Sequence, residues 1–170
     1  MKLSEHVATA LNSPQFFRKP FLLGEGESAW SCACDEMALV AVRAKLKLPA
    51  YRGPEEDMEA MLAWLAAEPV EPQTLGVAEL LDWTGPADGQ ERKGIMLGVQ
   101  IDRSRLAKLV TGLKGELTIW NSEEVVGIPS LLLARSGVWR AVLAGYDEAE
   151  EGAPRLGTQA ELFDLAMALD

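Results

Sequence analysis

The sequence predicts an α+β fold in which a βαβββ pattern occurs twice, with an acidic helical insert between the two copies. Three observations carry that prediction. Short apolar runs come in two groups of three: "PFLL", "AWSCAC" and "MALVAVRA" in residues 20–44, then "GELTIW", "IPSLLLAR" and "GVWRAVLAG" in residues 115–145. A segment with helical signals precedes each group. Residues 53–91, between them, hold ten carboxylates and no Lys or Arg. The units are assigned to 1–52 and 92–144, the insert to 53–91, a linker to 145–157 and a last peptide or helix to 158–170.

Taken in order, Met1–Leu3 is a stub leading strand, and Ser4 caps a short helix to Leu11 with Val7 and Leu11 inward. "PFLL", "AWSCAC" and "MALVAVRA" are antiparallel strands joined by the polar turn "GEGES" and the tight turn Asp35–Glu36. "GPEEDMEAMLAWLAAEP" is a helix: Pro54 suits the first turn and the acids there complement the helix dipole. Met58, Met61, Leu62 and Leu65 form its apolar stripe. Pro69 and Pro72 end it. "TLGVAELLDW" reads as helix or strand alike, and "TGPADGQERKG" as a loop. "GIMLGVQI" is a strand, after which Asp102 caps a helix with Leu106, Leu109, Val110 and Leu113 on one side. Three strands follow, separated by "NSEEVVG" and "SG".

The 170 residues are enough for one domain with a buried core. No run reaches the roughly 18 apolar residues of a membrane span. Met1 leads into a polar segment rather than a signal peptide, so a cytoplasmic location with no membrane partner is expected. Cys32 and Cys34 alternate on one strand and are too few for a disulfide framework. The net charge of −10 is uneven. Outside 53–91 and 145–170 the chain carries 15 basic and 9 acidic residues, so local potential leaves nucleic acid open as a partner.

The residues offer little for catalysis. Cys32, Cys34 and His6 match no familiar zinc spacing, and small buried strand cysteines are the plainer reading. The acids Glu55, Glu56 and Asp57 are explained by a helix N-terminus. "GEGES" lacks the Lys-Ser/Thr of a phosphate loop. No metal, no cofactor and no enzymatic activity are expected.

The segment "VQIDRSRLAKLVTGLKGELTI…PSLLLARSGVWRAVLAG" resembles the last unit of bacterial beta sliding clamps and their phage relatives. "WSCACDEMALVAVR" is similar to their "y-a-t-D-G-h-r-l-a-v" hairpin, with Asp35 at the turn and Glu36–Met37 in place of Gly-His. The resemblance covers about two thirds of the chain and implies a clamp-like domain whose helices line one face of a curved sheet toward duplex DNA. It implies a non-catalytic, DNA-associated or replication-associated module of phage or mobile-element type. Six copies of a one-domain chain would be needed for a ring of six domains, so a homo-oligomer is also implied. On helix 103–113 and just beyond it, Arg103, Arg105, Lys108 and Lys114 with no acid between are the DNA-binding candidates; a solvated helix face is what such a run of charges ordinarily means.

"QAELF", with Gln159, Leu162 and Phe163, resembles the Gln-x-x-Leu-Phe peptide that docks polymerases and repair proteins on bacterial sliding clamps. The resemblance implies a second role, as an adaptor or inhibitor with a sliding clamp or polymerase as partner. Thr158 capping a packed terminal helix is the competing reading of those residues.

Overall fold

A computed structural model describes residues 2–7, 18–35, 37–44, 46–88 and 90–146. Among the described residues the main body is a seven-stranded antiparallel sheet in the order β1-β2-β3-β9-β8-β7-β4, with a separate β5-β6 ribbon. The strands are β1 Phe21–Leu23, β2 Trp30–Cys34, β3 Ala38–Val42, β4 Gln73–Gly76, β5 Lys93–Met96, β6 Val99–Asp102, β7 Glu116–Asn121, β8 Ser130–Arg135 and β9 Trp139–Ala144. The helices are α1 Glu55–Ala66, α2 Val77–Thr84, α3 Arg103–Val110 and the short α4 Glu123–Val126.

Both faces of the sheet are buried, and strand alternation decides which side chain goes where. Trp30, Cys32, Cys34, Leu39, Ala41, Trp120, Leu132 and Val142 face α1, meeting its Met61, Trp64 and Leu65. Ala33, Val40, Leu117, Ile119, Leu131, Leu133, Trp139, Ala141 and Leu143 face the other way, against Val77 and Leu80 of α2 and Leu106, Leu109 and Val110 of α3. Helices therefore cover both faces, where one helical face was expected. Two-sided burial also explains why "AWSCAC" alternates so poorly: every residue of β2 is buried.

The two strand groups meet at the centre, where β3 pairs with β9. No duplicated clamp-like unit is evident among the described residues, and the predicted βαβββ duplication is corrected on three counts. Of the helix predicted from Ser4 to Leu11, the described part is a 3-10 turn, Leu3–His6, with Ser4 inside the turn rather than at its cap, and residues 8–11 lie outside the described residues. "GIMLGVQI" is not one strand: it folds back at Leu97–Gly98 into the β5-β6 hairpin, outside the main sheet. The positive φ of Leu97 (52°) and Gly98 (79°) suits a two-residue hairpin turn. Finally, segment 53–91 is no appendage. It covers one face with α1, adds β4 to the sheet edge and places α2 on the opposite face. The ambiguous "TLGVAELLDW" is both strand and helix, breaking at Gly76.

Polar ties fix the layers. Arg140 of β9 donates from Nη1 to the Ala67 carbonyl at 2.7 Å, just past α1, while its guanidinium lies over Trp120. Gly145 and Tyr146, assigned above to the linker, belong to the body: Tyr146 is buried and its N–H donates to the Gln100 carbonyl of β6. No helix of the described residues is long and apolar enough to cross a membrane.

Candidate nucleic-acid face and its bracing

Helix α3 starts where its sequence says it should. Asp102 Oδ1 accepts from Ser104 N at 2.9 Å and Arg105 N at 3.4 Å, satisfying two of the amides that a helix start leaves unpaired. The preceding loop is laced to the same turn. Arg92 N donates to Asp102 Oδ1, Arg92 Nε donates to Ser104 Oγ at 3.2 Å, and Ser104 Oγ donates to the Gln90 carbonyl. Arg92 was not singled out from sequence; its role depends on a return of the chain that no local pattern marks.

The four predicted basic residues divide into two pairs. Arg103 lies over the Trp83 ring, 5.9 Å from its centroid, and donates from Nη1 to the Trp83 carbonyl at 3.3 Å. Arg105 donates from Nη1 to Asp35 Oδ2 in an ion pair whose carboxylate side is only 7% exposed. These two brace the fold. Lys108 and Lys114 are exposed, one on α3 and one in the turn after it. They remain open to a polyanion.

Asp35 ties the β2-β3 turn to α3. Its Oδ1 accepts from Met37 N at 2.8 Å and Ala38 N at 2.9 Å while Oδ2 takes the arginine. The 3-10 turn Leu3–His6 packs against β2 and β3 on the α3 side, with Leu3 in the same apolar cluster as Leu106 and Leu109. His6 is buried there. Desolvation and the nearby Lys108 charge hold its pKa below the usual histidine value, against a smaller opposite pull from Asp35 and Glu5. Lys2, at the start of the turn, is exposed.

Cys32 and Cys34 are free, buried thiols whose pKa values burial pushes up. Among the described residues no group of three His, Cys, Asp or Glu is placed to hold a metal ion. Gln159, Leu162 and Phe163 lie outside the described residues. Comparison with protein-family models, curated proteins and solved structures gives no match to this chain.

Proposed function

We propose that the chain is a non-catalytic, clamp-like module associated with DNA or the replication machinery, and that α3 is its DNA-facing element. The observation that carries this reading is the exposure of Lys108 and Lys114 on a segment, Arg103–Gly115, that contains no acid. The joining of the two meanders at β3–β9, with α3 and the Leu3–His6 turn on the same face, supports it. Contacts of this type are made to phosphates, so they are blind to sequence and weakened by salt. Arg103 and Arg105 serve by holding that surface against α2 and the Asp35 turn.

Retention on immobilised duplex DNA at low salt tests the reading. The parent is expected to be retained, and Lys108→Glu combined with Lys114→Glu to elute early. A parent that flows through, or a variant retained like the parent, refutes it. The second reading, docking on a bacterial sliding clamp through Gln159, Leu162 and Phe163, rests on the peptide's sequence alone. Removal of 158–170 abolishes clamp binding on that reading; unaltered binding, or none by the intact chain, ends it.

A further inference from the structure

Much of the exposed apolar surface gathers around the β5-β6 turn. Of six large hydrophobic residues exposed among those described, Val70 (57%), Trp83 (37%), Ile95 (67%) and Val125 (43%) line two adjoining clefts. The clefts, about 590 Å³ and 460 Å³, share Leu97 and so meet at the β5-β6 turn. Patches of this kind on a folded surface mark contact sites.

Three further observations say what the groove takes. First, the charged side chains that line it are all acidic: Glu71, Glu123 and Glu124 line one cleft and Glu79 the other, while the nearby Arg103 and Arg140 are engaged over the Trp83 and Trp120 rings and are not lining residues. Second, Trp120, which lines the larger cleft, is 1% exposed, and its indole N–H has no hydrogen-bond acceptor among the described residues. A buried donor left so is unfavourable, and a backbone carbonyl from an incoming chain would satisfy it. Third, the groove runs beside β4, whose outer edge no strand covers among the described residues. Val77 N donates to the Gly115 carbonyl, so the bonded pairs fall at Val77, Leu75 and Gln73, and Thr74 turns its amide and carbonyl to the open side. The opposite edge, β1, is closed by residues 49–51 through Leu22.

We propose that this groove binds an extended segment of a partner protein that carries apolar residues interspersed with lysine or arginine, laid along the β4 edge. Main-chain bonds to Thr74 supply affinity, and the apolar floor with its acidic rim supplies selectivity. The chain's own 147–170 segment is the wrong occupant by charge, with seven carboxylates and one arginine. This inference goes beyond the DNA reading and stands without it.

The test is fluorescence anisotropy with the full chain and two labelled ten-residue peptides, one alternating valine with lysine and one alternating valine with glutamate, without DNA. The lysine peptide is expected to bind with Kd on the order of 10–100 μM, and the glutamate peptide at least about tenfold more weakly. Glu79→Lys with Glu123→Lys, both on the surface, should reverse that preference. Thr74→Pro, which removes only an outward N–H, should weaken binding about fivefold. Absence of saturable binding by the lysine peptide, or equal binding to parent and charge-reversed protein, overturns the proposal. So does displacement of the lysine peptide by a peptide of residues 158–170, which would assign the groove to the chain's own end.

Discussion

Removing the Asp35–Arg105 pair tests how far this contact braces α3 against the β2-β3 turn. Asp35 Oδ1 holds two backbone amides, at 2.8 and 2.9 Å, and Oδ2 holds the Arg105 guanidinium. Arg105→Ala deletes one charge-assisted bond and leaves a carboxylate, 7% exposed, with its two amides intact. Such a bond is worth about 1.5–3 kcal/mol; the arginine side is 30% exposed, and solvent screening points to the low end, about 1.5 kcal/mol. Asp35→Ala loses that bond and strands two backbone donors as well, for about 3 kcal/mol or more. The double-mutant cycle should therefore show a coupling of about 1–2 kcal/mol between the two positions. Urea unfolding followed by tryptophan fluorescence at neutral pH measures all four corners of the cycle. A coupling under about 0.3 kcal/mol, which is within ordinary additivity, would refute the claim that this pair ties the β2-β3 turn to α3.

Other expectations follow from the same contacts. His6 has a folded-state pKa below its unfolded value, so its neutral form contributes stability above about pH 6.5, and that contribution is lost as pH falls through the folded pKa. His6→Gln should flatten the urea midpoint between pH 7 and pH 5, and an unchanged slope contradicts the assignment. The Cys32 and Cys34 thiols, buried with raised pKa, should react with a thiol-specific disulfide reagent only on unfolding; labelling in native buffer would place them outside the core. Gly145→Ala should cost about 2 kcal/mol or more by overpacking. Its Cβ would lie 2.7 Å from the Gln100 carbonyl oxygen and 2.5 Å from Val99 Cγ1, which circular dichroism melting would register as a lowered Tm.

Much of this was legible because it is local. The Asp102 cap and the Leu106, Leu109 and Val110 positions depend on neighbours within a turn or two and are where their pattern puts them, although α3 ends at Val110, short of the predicted Leu113. Of the predicted α1 stripe, Met61 and Leu65 are buried while Met58 and Leu62 are half-buried. Trp64 and Asp57, also buried on α1, fall outside the predicted stripe. What failed depends on faces and distant returns. A sheet buried on both sides has apolar residues at nearly every strand position, so period two no longer tells which face a helix covers. The β5-β6 hairpin was hidden because its turn begins with leucine, where asparagine or glycine would have announced a positive φ. Asp35 and Arg105 are 70 residues apart, and nothing in either segment marks the other as partner. Basic spacing alone could not separate Arg103 and Arg105, which grip the fold, from Lys108 and Lys114, which face solvent.

The most direct test of the DNA-facing assignment is the salt dependence of binding to a labelled duplex, for the parent and for Lys108→Glu with Lys114→Glu. Two phosphate contacts, from Lys108 and Lys114, predict a fall in affinity of about 12-fold between 50 and 200 mM salt, with a shallower slope and weaker binding in the variant. Parent affinity that ignores salt, or two titrations that superimpose, would contradict the assignment of α3 to DNA.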